Sequence, residues 1–531
     1  MNQTCQQCHT TFEITTVDEQ FYRSFEAPNP TLCPDCRLQR RMAFRNERSL
    51  YNSKCGLCQR PIVTIYDPVK QFTVYCPECW WGDKWNPLEL GREFDFTKTL
   101  ADQLIELYRA VPHVSLYTTN CTNSEYNNFG LNLNNCYLIF GGSNNDNCLY
   151  GKFVISSIDT VDALSVFSTE LCYEAVASER CYDCRYVVNS RDCRDCIMID
   201  ECQACTDCIG CFGLHNKQYY VFNQYVGKEE YEKILTSYQP LTTAKLAELR
   251  SQFEGLRQTL PRRASHIYAS EHCSGDLILN SVNCHDCFDI KECENCRYVS
   301  NTPKAKDSYD AIFSSPYGLE HCYNTCSTTG LRDGMSAFMV WNSYNVGYSL
   351  ECHQSHDLFG CVGMQKQQFS ILNKQYSEAD YKQLRAKVIE HMKTTGEWGE
   401  YLHPSISPFG YNETIAQEYY PLSEQAAKLI GYTWHPLLDK PANATADALV
   451  CVHCHKPYRL VKAELTFYAK AQLPNPQLCP DCRRTRRIVE RGPYHLWSRQ
   501  CSRCQKNIQT NYSPERAATV YCEQCYVQER G

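Results

Sequence analysis

LCYEAVASERCYDCRYVVNSRDCRDCIMIDECQACTDCIGC, residues 171 to 211, is the stretch on which the fold turns. Cysteine returns in it at Cys172, Cys184, Cys196 and Cys208, a step of 12, and a second column runs through Cys181, Cys193 and Cys205. Upstream the same step passes through Cys136, Cys148 and Thr160. The slot just before reads Asn135, Asn147, Asp159, Leu171, Asp183, Asp195 and Asp207. A short fixed period that stacks a small residue beside an Asn/Asp column predicts a β-solenoid. Identical side chains then pile up at about 4.8 Å per rung, and amides or carboxylates satisfy the turn backbone. Whether 12 residues make a whole coil or half of a 24-residue coil is left open by the spacing.

Moving outward, ECQACTDCIGCFG from Glu201 recurs as ECHQSHDLFGCVG from Glu351, and a second run keeps the pattern in NCHDCFDIKECENCRYVSN, residues 283 to 301, with looser spacing. The interior cysteines admit three readings: buried thiols used as small fillers, further metal ligands, or disulfides. Cys205 and Cys208 become Ser355 and Leu358 in the second run while Cys202 and Cys211 return as Cys352 and Cys361, which favours the fillers. His266, His272, His285, His321, His353 and His356 fall in this half and read first as scattered structural histidines, with a His–Cys metal site as the alternative. Each run leads into a helical insert. The first insert is interrupted near Pro240, and the second opens on the capping-box pattern Ser377-Glu378-Ala379-Asp380 and stops near Gly396.

Both ends of the chain carry one block in two copies. C-x2-C pairs stand at Cys5/Cys8, Cys33/Cys36, Cys55/Cys58 and Cys76/Cys79, and again, offset throughout by 446 positions, at Cys451/Cys454, Cys479/Cys482, Cys501/Cys504 and Cys522/Cys525. Two such knuckles complete a tetrahedral site, so four zinc ions are expected, with rubredoxin-like iron as the alternative metal. Sequential pairing of knuckles is the simplest arrangement, and a cross-braced one fits the spacing too. Four cysteines leave no open position for water, which argues against catalytic zinc.

The copies share Phe21-Tyr22 with Phe467-Tyr468, and the turns Pro28 to Pro30 with Pro474 to Pro476. After the closing knuckle come matched arginines, Arg37/Arg483, Arg40/Arg486, Arg41/Arg487 and Arg45/Arg491, with Arg484 beside them, at spacings that gather them on one helix face. They read either as a nucleic-acid-binding face toward phosphates or as partners of the anionic metal centres and nearby carboxylates. Trp80, Trp81 and Trp85 can stack on bases or pack in a core. With Glu19-Gln20-Phe21-Tyr22 between its knuckles, the first half of each module resembles the probable zinc-ribbon domain family, which implies an aromatic hairpin there. The whole layout, with WWGDKW, NSEYNN, the cysteine run and YNET, resembles an uncharacterised cysteine-rich family of candidate-phyla-radiation bacteria. That resemblance implies this architecture and zinc, and no reaction.

At 531 residues the chain divides into seven expected segments: tandem zinc ribbons over 1–91, a connector helix over 92–112, solenoid run 1 over 113–227, a helical insert over 228–264, solenoid run 2 over 265–376, a helix with a Pro/Tyr-rich linker over 377–448, and tandem ribbons over 449–531. The fold class is therefore mainly β. Residues 1 to 91 carry 10 Lys and Arg against 10 Asp and Glu, residues 449 to 531 carry 14 against 6, and the stretch between carries 29 against 44. The acidic centre disfavours a polyanion along the solenoid and leaves the C-terminal module as the basic part. No apolar stretch precedes Cys5 and none approaches the length of a membrane span, so the 37 cysteines read as reduced thiols of a cytoplasmic protein. The expected function is a zinc-binding, non-enzymatic scaffold whose ribbons dock a protein or nucleic-acid partner, with no catalytic residue assigned. Thiol or metal handling by the interior cysteines is the alternative, followed by carbohydrate chemistry on a solenoid groove.

Overall fold

A computed structural model describes residues 1–314, 317–436 and 448–530. The chain forms two compact units, and neither is a continuous stretch. One joins Met1–Leu116 to His266–Pro436, and the other joins Tyr117–Ser265 to Leu437–Gly531.

The second of these units is built on a sheet of eleven strands among the described residues, ten of them parallel and running in sequence order from Thr118–Thr119 to Gln218–Val221, closed by the antiparallel strand Gln224–Tyr225. Its register advances by 12 residues per rung: Leu149 pairs with Val161, Val161 with Tyr173, Tyr173 with Arg185, Arg185 with Ile197, and Ile197 with Ile209. The 12-residue period is thus one full rung. From Phe129 to Phe222 every third residue has a positive φ, so each rung turns at four left-handed positions. Asn and Asp tolerate that conformation best among residues with a side chain, and the predicted Asn/Asp column is one of these four. Exposed amides in it bond up the column, Asn123 to Asn135, Asn135 to Asn147 and Asn147 to Asp159.

The interior of this ladder is a cluster of Leu133, Ile139, Val154, Val166, Val187 and Ile199 with the cysteines between them. Each thiol meets two carbonyls, one two residues back and one nine residues on. Cys184 Sγ lies 3.4 Å from the Tyr182 oxygen and 3.6 Å from that of Cys193. Thr160, in the same column, uses its hydroxyl on Ile158 at 3.0 Å and Thr169 at 3.4 Å. Cysteine here is a small buried donor that serine and threonine can replace. Helix Lys228–Tyr238 packs on strand Gln218–Val221 and helix Thr243–Thr259 on Thr206–Phe212, with the expected interruption around Pro240 between them.

The other unit holds the second ladder, running from Ile267–Tyr268 to Lys374–Gln375. Its step is also 12, as in Glu320 to Arg332, Arg332 to Tyr344 and Tyr344 to His356, except for an 11-residue first rung that pairs Ile267 with Ile278 and a 14-residue rung that pairs Tyr309 with Tyr323. That longer rung explains the looser spacing read in the sequence. Helix Glu378–Thr395 follows, capped by the Ser377 hydroxyl on the Asp380 N–H and ended by Gly396 at φ 75°. The Asp380 carboxylate accepts from the Ser377 hydroxyl rather than from its backbone N–H, so only one half of the predicted capping box forms. The connector helix spans Leu100–Ala110, and the linker carries a short helix at Glu424–Leu429. The linker stretch 437–447 lies outside the described residues. No described helix is long and apolar enough to cross a membrane.

Candidate metal centres and their docking arginines

Each centre is assembled from one turn and one strand or helix start. In the first, the Cys5 N–H donates to Thr10 and the His9 N–H to Cys5, closing a turn in which His9 has φ 60°. Gln59, His455 and Gln505 repeat that geometry at φ 62°, 59° and 61°. The second knuckle opens a helix in all four centres: Cys33, Cys76 and Cys479 are N-caps with Pro34, Pro77 and Pro480 at the first turn, and Cys522 stands directly before helix Glu523–Arg530. A helix N-terminus favours a thiolate.

The sulfurs converge as Cys5, Cys8, Cys33 and Cys36; Cys55, Cys58, Cys76 and Cys79; Cys451, Cys454, Cys479 and Cys482; and Cys501, Cys504, Cys522 and Cys525, those of each set within 4.8 Å of one another. Consecutive knuckles pair, and the cross-braced arrangement is absent among the described residues. Distances across the knuckles are 3.6 Å for Cys8–Cys33, 3.8 Å for Cys58–Cys76, 3.7 Å for Cys454–Cys479 and 3.7 Å for Cys504–Cys522. A tetrahedron with metal–sulfur bonds of about 2.3 Å has edges of about 3.8 Å. The donor sets therefore fit a tetrahedral thiophilic ion, and the spacings are far too long for disulfides.

The electrostatics inside a set point the same way. Hydrogen bonding from Cys36 pulls the Cys33 thiol down to about 5 and pushes Cys36 far up. Burial works against ionisation of Cys55, yet the N–H groups of Cys58 and Cys76 hold it at about 6. Burial likewise opposes ionisation of Cys451 and Cys501, and neighbouring N–H groups hold them at about 5 and about 6. Four crowded sulfurs share little negative charge on their own, and a cation removes that conflict.

The predicted arginine faces do form. Helices Pro34–Met42 and Pro480–Arg491 carry them, apart from Arg45, which lies just past the end of the first helix, and the faces point inward. Arg37 Nε bonds Asp310 at 2.9 Å and Arg41 Nη2 reaches the same carboxylate at 3.0 Å, with Asp310 fully buried on the ladder strand Tyr309–Ile312. In the other unit Arg483 and Arg487 hold Asp162, on strand Val161–Phe167, at 2.5 Å and 2.7 Å. The guanidinium of Arg37 lies over Tyr298 at 5.0 Å and that of Arg483 over Tyr150 at 4.8 Å. Arg45 is buried against Glu47 and the Phe313 ring, Arg491 is buried over Tyr494, and Arg484 is buried as well. Arg40 faces Glu400 at 3.7 Å and Arg486 pairs with Glu174. These side chains are engaged by carboxylates and rings, on the ladder for Arg37, Arg41, Arg483, Arg486 and Arg487, off it for Arg40 and Arg491, and on both for Arg45, so of the two readings the structure presents the carboxylate-paired one.

The aromatic pairs also differ from the hairpin implied by the zinc-ribbon resemblance. Phe21-Tyr22 lies on helix Thr16–Ser24, whose start is fixed by a reciprocal Thr15–Asp18 capping box, and Phe467-Tyr468 lies on helix Lys462–Lys470. Phe21 stacks on Tyr309 at 3.8 Å and Tyr22 packs on Tyr323, while Tyr468 packs edge-on against Tyr173. Trp80 is buried and donates to the Pro112 carbonyl at 3.1 Å, Trp85 donates to Trp80, and Trp81 is part-exposed. Among the described residues the histidines of the second run join no metal-competent group. His266 bonds Asp276 at 2.9 Å, and His353 is enclosed by Trp80, Trp81 and Trp341. Glu413, in the YNET segment, accepts from Tyr51, Lys70 and the Gly410 N–H and so anchors the stretch that carries the second cysteine set. The ladder carboxylates that receive the arginines were not singled out from the sequence. Their signal is faint: Asp162 and Asp310 each stand one residue past the start of a rung strand, next to ordinary turn acids.

No family model matches the chain, and no curated protein matches it. Among solved structures, one described as a “putative acetyltransferase from Desulfovibrio desulfuricans G20” is 9% identical over 50% of this chain and 71% of that one, with a TM-score of 0.11. A likeness that slight carries neither fold nor chemistry. The class defined by the observations in hand is a cysteine-rich, mainly β protein with four metal-competent tetracysteine sites.

Proposed function

We propose that the chain is a zinc-stabilised, non-enzymatic scaffold in which two cysteine-cored β-solenoids are each clasped by a tandem zinc-ribbon module. The observation that carries this reading is the tetracysteine geometry, with cross-knuckle sulfur distances of 3.6 to 3.8 Å in all four sites. Fully thiolate-ligated zinc has a structural role, because no coordination position remains for water or substrate. The 12-residue register and the left-handed residue at every third position support the solenoid. Long ladders present extended faces, and a protein partner is the reading favoured by the acidic middle of the chain. Nucleic-acid docking falls to exposed cations such as Lys456, Arg503 and Lys506, since most of the helix arginines are buried.

Thiol handling has less support. Interior cysteines are buried, and their sulfurs are engaged by carbonyls. Metal analysis of anaerobically purified protein, with native thiol counting alongside, tests the reading. Four zinc ions per chain and unreactive interior cysteines are expected. Iron, extra metal, or fast labelling of Cys184 and Cys196 would move the function to the solenoid thiols.

A further inference from the structure

In two of the four tetracysteine sites the helix that follows the second knuckle carries arginines onto a buried ladder carboxylate, whereas the other two meet the ladders through the aromatic residues Trp80 and Tyr526. In the first site of the N-terminal module, ligand Cys33 caps helix Pro34–Met42, ligand Cys36 lies in its first turn, and Arg37 follows directly. Arg37 and, one turn on, Arg41 then close on Asp310, which is wholly enclosed by the ladder. The C-terminal module repeats the arrangement in the other unit, with Cys479, Cys482, Arg483 and Arg487 closing on Asp162. By contrast, Cys76 and Cys79 begin a helix of only four residues, Pro77–Trp80, that carries no arginine.

We propose that metal occupancy of the first site in each module is read out as docking of that module on its ladder, so that the arginine helix acts as a metal-set latch. The inference rests on metal binding at these sites, as set out above. Its physics is short. A nine-residue helix is marginal on its own, so the tie between the knuckles Cys5/Cys8 and Cys33/Cys36 holds it in place. Once that tie is lost, Arg37 and Arg41 leave together and Asp310 is a buried carboxylate with neither of them. A buried charge without its partner is strongly unfavourable, and the rung around it must open or hydrate. One ligand of this site, Cys8, is exposed, which gives a chelator or an oxidant direct access to the latch.

Hydrogen exchange on the full-length, metal-loaded protein tests this, with metal counted in every sample. Cys8→Ser should lower the count by one and speed exchange in Tyr309–Ile312 and Leu319–Cys326 about tenfold or more. Cys58→Ser should also lower the count by one but leave those strands unchanged. Asp310→Asn should keep every metal and still loosen helix Pro34–Met42 and strand Tyr309–Ile312. Strand Val161–Phe167, in the other unit, serves as the internal control against global unfolding. Loss of the metal in Cys8→Ser with unchanged exchange at Tyr309–Ile312 would overturn the latch. A wild-type protein that carries no metal would instead overturn the scaffold reading on which the latch depends.

Discussion

Cys184 occupies the kind of slot that Ser178 and Ser190 fill elsewhere in the same ladder. Ser178 donates to the Val176 carbonyl at 2.8 Å and approaches that of Val187, as Cys184 does with Tyr182 and Cys193. Cys184→Ser should therefore change stability by less than about 1 kcal/mol, whereas Cys184→Val, which keeps the bulk and loses the donor, should lose about 1–3 kcal/mol in denaturant melts. The comparison of Cys205 with Ser355 already pointed to this interchange in the sequence, because a filler tolerates what a ligand does not. His353 is a different case. Burial holds its imidazole down to about 3 from an ordinary value of 6.5, with Glu351 pulling weakly the other way. The unfolded chain thus binds a proton there between pH 6.5 and 3 that the folded chain refuses, so stability falls as pH drops through that window. Unfolding midpoints across this range should flatten in His353→Leu, and an unchanged slope would remove His353 as the source. Nothing in the sequence marked this histidine among the six of its half, since its surroundings come from Trp80, Trp81 and Trp341, two of them far away along the chain.

At the scale of elements, the rungs were legible because their period is written in consecutive residues. The helix over the connector, the interruption near Pro240 and the stop at Gly396 were equally local. What the period did not give was the three-residue spacing of turns, because residues as unlike as Tyr150, Phe153, Ser156 and Asp159 all adopt the left-handed conformation. Only the Asn/Asp column betrays it by composition. The arginine spacing marks two one-sided helices, with Arg45 falling just past the end of the first, yet the side they face is decided by Asp162 and Asp310. Removing that partner should be severe. Asp162→Asn leaves Arg483 and Arg487 buried without their shared carboxylate, and about 3–5 kcal/mol of destabilisation is expected in denaturant melts. Neutralising Arg483 or Arg487 should likewise act through the fold. If Arg487→Gln weakened binding of a nucleic acid while melting as the wild type does, the placement of this side chain against Asp162 would be wrong.

For the whole molecule, the grouping of the sixteen knuckle cysteines into four sets is legible to the residue, since knuckle spacing is a local property and each module closes on itself. The division into units was not. The linear order of cysteine module, ladder, ladder, cysteine module suggests neighbours, but Met1–Leu116 belongs with His266–Pro436, and Tyr117–Ser265 with Leu437–Gly531. Long-range partners of this kind leave no periodic trace. A protease cut between Ser265 and His266 should consequently leave both units folded and the two fragments associated. Size-exclusion chromatography of the nicked, metal-loaded protein would show one particle of the original mass, and two separating fragments would contradict the interleaved order.

The same interleaving sets a timetable on the ribosome. Arg37 precedes Asp310 by 273 residues, and Asp162 waits 321 residues for Arg483. At about 5–20 residues per second, each of these pairs is separated by roughly 15–60 seconds of synthesis. Throughout that interval a nascent ladder carries a carboxylate built for burial that has no counter-ion, and a finished ribbon has nowhere to dock. A stalled or truncated product would be trapped at that stage, which makes the final module the step that commits newly made chains to survival rather than to quality control.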